Sequence, residues 1–363
     1  MSGPPPSNGS GAGPRSRAET QARGAGRAEM QARIAGRVVG RRRELELILA
    51  AVAAGRDLLL EGPPGTSKST LLRAITAEWG IPLVFVEGNA DLTPAKLVGH
   101  HNPARVLRED YSADNFVDGP LLEAMRAGGF LYIEEFNRAP EDTLNTLLTA
   151  MAEREVAVPR VGRVAAQATF RVIASMNPYD NVGTTRLSTG IHDRLCRLAV
   201  TYQDAESERG IVALRAPLPS GAVPAEVAAT LVADAVALTR ATRQHPDVRQ
   251  GSSVRGAIDL TLVAGELLVV RGSSGAASSG PASTSGGASS GRASTSGAAS
   301  SDRASTSGGA DYREADYRET VFDAMLVALS GRIHLDETAE SSPEAVLRQI
   351  WEDHFILNPA EAA

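Results

Sequence analysis

The residues best suited to chemistry lie in one short run, Gly62-Pro63-Pro64-Gly65-Thr66-Ser67-Lys68-Ser69. It follows the apolar segment DLLLE (57–61) and opens the amphipathic stretch STLLRAITAEW (69–79). A strand, a glycine-containing loop and a helix in that order make a phosphate cradle. Gly62 and Gly65 permit a tight backbone, and successive N–H groups at the helix N-terminus face a triphosphate. Lys68 reaches the β and γ phosphates, and the Ser69 hydroxyl ligates Mg²⁺. The run from Gly62 through Thr70 is therefore the expected nucleotide contact. Ser67 stands where the pattern GxxxxGK[ST] has its second glycine. Serine is small enough for close phosphate approach; turnover is what the exchange puts at risk.

Two further polar clusters close apolar runs. FLYIE (130–134) ends on Glu134 and is followed by Glu135, the form of a Walker B element. The first acid would hold the hydration shell of Mg²⁺ and Glu135 would polarise an attacking water. FRVIASMNP (170–178) places Asn177 at a strand terminus, where an Asn before Pro178 also starts turns.

Five strand-like runs must carry these groups: 57–61, 83–87, 130–134, 171–176 and 197–202. Helical patterns such as 69–79 and 141–154 separate most of them, the alternation of a parallel, helix-flanked sheet. After Tyr202 the strand signals stop, and helical periodicity at 206–215, 224–243, 253–270, 320–331 and 344–355 predicts a second, all-α domain. Residues 1–16 are mostly Gly, Pro and Ser. Of the tandem decapeptides 17–26 and 27–36, only the second sets Met30 and Ile34 on one helical face, so order is expected from about Arg27. Positions 272–310 are Gly, Ser, Ala or Thr apart from Pro281, Arg292, Asp302 and Arg303. Their three eleven-residue units lack the apolar positions that let repeats stack, which reads as a flexible insert. The expected organisation is a tail (1–26), a nucleotide-binding α/β domain (27–203), a helical lid (204–271 and 311–357) and the linker (272–310).

The 363 residues carry 37 Lys+Arg against 43 Asp+Glu, a formal charge of -6. No global basic field points to nucleic acid or anionic membrane. The start lacks an apolar signal core and no 18 apolar residues run together, so a cytoplasmic protein is expected. The lone Cys196 cannot form an internal disulfide and reads as a small buried hydrophobe. The six histidines lack metal-ligand spacing, His100-His101 included, and are expected as scattered surface imidazoles. The stripe Leu326, Leu329, Ile333 reads as lid core.

Taken together, VVGRRREL (38–45), LLLEGPPGTSKS (58–69), FVDGPLLEAM (116–125), IEEFNRAPEDTLNTLLTAMAEREV (133–156), VIASMNP (172–178), HDRL (192–195) and SSVRGAIDL (252–260) resemble the motifs of MoxR-family AAA+ ATPases. The likeness covers about residues 27–271. It implies a P-loop NTPase of α/β class, an AAA+ core with a five-stranded parallel sheet followed by a small all-α lid. It further implies that Asn177 is sensor 1 beside the γ-phosphate and that Arg194 is the arginine finger of a neighbouring subunit, with Arg186 and Arg197 as alternatives. Arg255 would be sensor 2, or else an ordinary helix-surface cation, and Gly40 would lie where the chain passes adenine. Segments 90–117 and 155–170 would protrude toward a pore or client. Glu134 departs from the Asp of most relatives, which places Mg²⁺ geometry and hydrolysis rate in question. ATP and Mg²⁺ are the implied ligands. The implied partners are a homo-oligomeric ring, expected to be a hexamer, a von Willebrand factor A (VWA) domain adaptor, and a client such as a metalloenzyme, carbon monoxide dehydrogenase maturation being one family precedent. The competing reading is an ATP-gated scaffold with little hydrolysis.

Overall fold

The computed structural model describes residues 29–109, 111–178, 187–218, 221, 223–278 and 314–357. The chain divides into two compact units that part between Asp204 and Ala205. The first decapeptide copy, Arg186 and most of the repeated insert lie outside the described residues.

In the first unit a short helix (α1, 29–35) and α2 (Arg42–Ala53) lead into β1 (Asp57–Glu61), α3 (Lys68–Trp79) and β2 (Leu83–Glu87). The excursion that follows holds α4 (Pro94–Val98), β3 (Gly99–His101), α5 (Pro103–Glu109) and β4 (Phe116–Asp118). Then come α6 (Pro120–Ala127), β5 (Phe130–Glu134), α7 (Glu141–Glu153), the hairpin β6 (Glu155–Val158) and β7 (Gly162–Ala165), β8 (Arg171–Met176), α8 (Thr189–Arg194) and β9 (Leu195–Ala199). Strands β2, β5, β8, β1 and β9 form, in that spatial order, a five-stranded sheet whose pairings are all parallel.

The apolar runs of the strands follow from burial on both faces. Leu58, Leu60, Phe130, Tyr132 and Ile173 pack into one layer with Ile34, Ile48, Leu71 and Ile75. Leu59, Leu131, Ile133, Val172 and Ala174 pack into the other with Leu122, Met125, Leu144 and Leu147. The period of two is kept on every central strand. Met30 joins the first layer beside Ile34, as the helical face of the second decapeptide requires.

Two details correct the expectation from sequence. The last strand runs over Leu195–Ala199 rather than 197–202, because its register against β1 begins at Asp57 and the pairing partner leaves the sheet after Glu61. Cys196 is exposed rather than buried, since β9 is an edge strand with only one neighbour.

The second unit contains α9 (Ala205–Arg215), α10 (Ala225–Ala241), α11 (Val254–Ser278), α12 (Glu314–Leu329), α13 (Pro343–Glu352) and a wider π turn over Asp353–Leu357. Leu231, Leu238, Leu260, Val321, Met325, Leu329, Ile333 and Leu347 form its core, with Leu326 packed against it. It is not purely helical: β10 (Val248–Gln250) and β11 (His334–Leu335) make an antiparallel ribbon. Helix α11 continues through 278, seven positions into the segment read as linker. The buried Asp234 accepts from the Tyr317 hydroxyl at 2.7 Å and lies 2.9 Å from His354 Nε2. Burial, and then the Asp234 charge, hold the Tyr317 proton well above the usual phenol range.

Candidate functional site

Because the sheet is parallel, β1, β5 and β8 deliver their C-terminal residues to one edge, the place where open α/β sheets bind ligands. β8 lies between β1 and β5, so Glu61 pairs with Met176 and Ile133 with Ala174. The Gly62 N–H donates to the Met176 carbonyl at 3.1 Å. Gly62 thus leaves β1 one residue from Asn177.

Gly62 through Ser67 form the loop between β1 and α3. A Cβ on Gly62 would stand 2.0 Å from the Val200 carbonyl oxygen, so the close backbone approach there admits only glycine. Gly65 has φ 75°, and Ser67 shares the left-handed region with φ 65°, ψ 21°, immediately before the helix. The Ser in the motif's glycine position therefore retains the glycine conformation and bears its strain. Lys68 is buried, and its Nζ donates to the carbonyls of Gly62 at 2.8 Å and Pro63 at 2.9 Å, while the Thr66 hydroxyl donates to Pro63 at 2.9 Å. The Lys68 ammonium is thus folded into its own loop and fills the cradle of its carbonyls. The N–H groups of Lys68, Ser69 and Thr70 begin α3, where helical geometry supplies no intrahelical acceptor.

The two expected metal-side groups meet directly. The Ser69 hydroxyl donates to Glu134 Oε1 at 2.7 Å. Tyr132 OH lies 3.2 Å from Ser69 Oγ, 3.4 Å from Glu134 Oε1 and 2.9 Å from Ser175 Oγ. Burial, the largest cause, pushes the Tyr132 phenol up to about 12 against the lowering effect of its serine partners. A hydroxyl and a carboxylate side by side are hard oxygen donors, a set suited to Mg²⁺ with the remaining positions left to water and phosphate. Among the described residues no group of three or more His, Cys, Asp or Glu could hold a metal. His101 packs edge-on against Tyr111 and Phe116.

Glu135 follows the strand with φ 52°, a left-handed conformation that turns the chain off the sheet edge. Its carboxylate pairs with Arg138 at 3.1 Å. Asn177 stands one residue past β8, and its carbonyl accepts a long contact, 3.4 Å, from Asn137 Nδ2. Arg194 ends α8 at the other edge of the sheet: Leu195, the next residue, pairs with Asp57 at the start of β1. Its guanidinium donates to the Gly190 carbonyl at 3.1 Å and is exposed. Arg197, the alternative finger, is tied to Glu61 in its own chain. Gly40 has φ 69° and precedes Arg41. Arg255 belongs to the second unit, exposed in the first turn of α11.

Residues that the sequence did not single out complete the site. Arg41, only 3% exposed, donates through Nη2 to the Thr66 carbonyl at 2.9 Å and the Thr201 carbonyl at 2.7 Å, and through Nη1 to Glu44 at 2.8 Å. It clamps the phosphate loop from behind. The buried Gln203 reaches Ser67 Oγ and the Val39 carbonyl, each at 3.4 Å. The arginine run RRR in front of a helix was the available signal for Arg41; Tyr132 and Ser175 read only as strand residues.

Residues 57–195 match the model of an AAA domain of the dynein-related subfamily. Gas vesicle ATPase GvpN of Ancylobacter aquaticus is 29% identical over 234 residues, which cover 60% of this chain and 62% of that protein. Gas vesicle ATPase GvpN2 of Halobacterium salinarum is 29% identical over 217 residues, 55% of this chain and 60% of that protein. The uncharacterized protein YojN of Bacillus subtilis is 32% identical over 160 residues, 44% and 52% of the two chains. In each case the aligned part is less than two thirds of the relative's length. No helix among the described residues is long and apolar enough to cross a membrane.

Proposed function

We propose, from the match of residues 57–195 to the AAA-domain model, that this chain is a MoxR-like AAA+ ATPase that binds and hydrolyses ATP in a homo-oligomeric ring. The ring would be a hexamer that remodels or activates a client protein with a VWA-domain adaptor. The observation that carries the reading is the 2.7 Å pairing of Ser69 with Glu134 beside a loop whose lysine fills a cradle of its own carbonyls. Loop, carboxylates and Asn177 share one sheet edge, as phosphoryl transfer to water requires of them.

In this reading the first-turn N–H groups of α3 and Lys68 bind the phosphates, and Thr66 and Ser67 shape the loop around them. Mg²⁺, held by Ser69 and through water by Glu134, would neutralise charge on the β and γ phosphates. Glu135 leaves Arg138 to orient and polarise the attacking water. Asn177 would hydrogen-bond the γ-phosphate or the water beside it, and Arg255 would act as sensor 2. A neighbour's Arg194 offsets charge as the phosphoryl group transfers, an effect worth roughly 10³ to 10⁵ in rate. Two relatives are named gas vesicle ATPases, so gas vesicle components join metalloenzymes as client classes to test.

A second reading, the ATP-gated scaffold, is favoured by the pairing of Glu135 with Arg138, which engages one oxygen of the expected base. Phosphate release by the purified chain separates the two. Steady Mg²⁺-dependent turnover that Glu135→Gln abolishes while ATP still binds supports the motor. ATP binding and ring formation with release no greater than in Glu135→Gln supports the scaffold. A chain that binds no ATP refutes both.

A further inference from the structure

We infer that Tyr132 is a positioning residue for the metal end of this site. Its hydroxyl fixes the Ser69–Glu134 pair and ties that pair to the strand carrying Asn177. The inference rests on the nucleotide reading above and names a residue outside the phosphate-loop and Walker B pattern.

Tyr132 sits on β5 two residues before Glu134, hence on the same face, and its ring is fully buried against the layer that holds α3. Phe would fill that volume equally well, so packing alone does not call for the hydroxyl. A buried phenol needs partners, and three oxygens surround this one: Ser175 Oγ at 2.9 Å, Ser69 Oγ at 3.2 Å and Glu134 Oε1 at 3.4 Å.

Counting protons gives the network a direction. Glu134, as a carboxylate, only accepts, and Ser69 donates to it. Each hydroxyl has one proton: with that of Ser69 on Glu134, the Tyr132 proton goes to Glu134 Oε1 or Ser69 Oγ, both within its reach, and Ser175 can donate to Tyr132. Ser69 then accepts from Tyr132 at most once and keeps a lone pair for a metal. Without the phenol, the Ser69–Glu134 pair keeps its own 2.7 Å bond but loses the hydroxyl that orients it from the side of β8. The long side chain of Glu134 makes the point sharper, because it occupies the Ser69 proton directly. Ser175 stands two residues before Asn177 on β8, so the same chain of hydroxyls links metal loading to that strand's end.

The test measures binding of ADP carrying a fluorescent N-methylanthraniloyl group to the full chain, with Mg²⁺ titrated from a chelated start. Tyr132→Phe should raise the Mg²⁺ midpoint about five- to tenfold, the cost of one lost hydrogen bond. Affinity in the chelated state should stay within about twofold of the parent. Ser175→Ala should shift the midpoint the same way by less, and it decides the matter if Tyr132→Phe does not fold. An unchanged midpoint in the folded variant, or equal weakening with and without Mg²⁺, overturns the inference. Failure of the parent chain to bind nucleotide at any Mg²⁺ concentration would instead remove the underlying reading.

Discussion

Replacing Arg41 by Met keeps the length and apolar stem of the side chain while deleting every donor. Two carbonyls lose a charged partner: Thr66, inside the phosphate loop and buried, and Thr201, which water can reach in part. A hydrogen bond from a charged donor contributes about 1.5–3 kcal/mol, and a buried acceptor left unmatched costs about 1–3 kcal/mol. The Thr66 contact therefore accounts for about 2–3 kcal/mol and the Thr201 contact for about 1 kcal/mol, with up to about 1 kcal/mol more from leaving Glu44 without its pair. The expected loss is about 3–5 kcal/mol, confined to the first unit. Each unit holds one tryptophan, Trp79 and Trp351. Urea unfolding followed by fluorescence in a Trp351→Phe background therefore reads this unit alone. Arg41→Lys, which cannot span both carbonyls and Glu44 together, should fall between the two. If Arg41→Met unfolds within about 1 kcal/mol of the parent, the clamp is not a stabilising contact and the reasoning fails.

Ser67→Gly relieves a left-handed residue whose side chain makes no capping bond to α3 and accepts only a long contact, 3.4 Å, from Gln203. It should stabilise the unit by about 0.5–1 kcal/mol, the relief outweighing glycine's added chain entropy, and a loss in the same unfolding assay would contradict this. Gly62→Ala places a methyl against the Val200 carbonyl. It should cost about 1–3 kcal/mol or more and abolish nucleotide binding by calorimetry. Tyr132 gives an alkaline signature. Its phenol ionises near 10 in the unfolded chain and about 12 in the folded one, so its contribution is full below pH 10 and is lost as pH rises through 12. The Trp79-reported stability should fall by about 2–3 kcal/mol across that window, and Tyr132→Phe should flatten the fall.

What could be read ahead of the structure was what depends on neighbours in sequence. DLLLE, LVFVE, FLYIE and RVIASM announce strands buried on both faces, and all four ends agree with the observed ones. Ser67 announced itself by occupying a glycine's place. Arg41 did not, because its partners Thr66 and Thr201 stand 25 and 160 positions away and are backbone carbonyls, which carry no residue signature. Tyr132 was hidden differently: in an apolar strand a phenol reads as another hydrophobe, and only the sheet order, which sets β8 beside β5, reveals Ser175 next to it. The ribbon β10–β11 was missed because runs of three and two residues are too short to show a period.

The polarity of the sheet bears on the proposed ring. Arg194 adjoins Leu195, whose partner Asp57 begins β1, whereas the phosphate loop leaves the end of that strand after Glu61. At about 3.3 Å per residue the strand separates the two by about 13 Å along the sheet. Arg194 is thus set away from its own phosphate loop, and its proposed role requires a second copy to bring it to one. Lys68→Ala and Arg194→Ala should each be inactive alone, the first for want of nucleotide and the second for want of the neighbour's cation. Mixed in equal amounts before assembly, they should recover activity. An Arg194→Ala chain keeps its nucleotide site, and a Lys68→Ala neighbour still offers its arginine. Random assembly in a head-to-tail ring pairs them this way at about a quarter of the interfaces, so about a quarter of parental phosphate release is expected. A mixture as inactive as its components would show that Arg194 serves no neighbour.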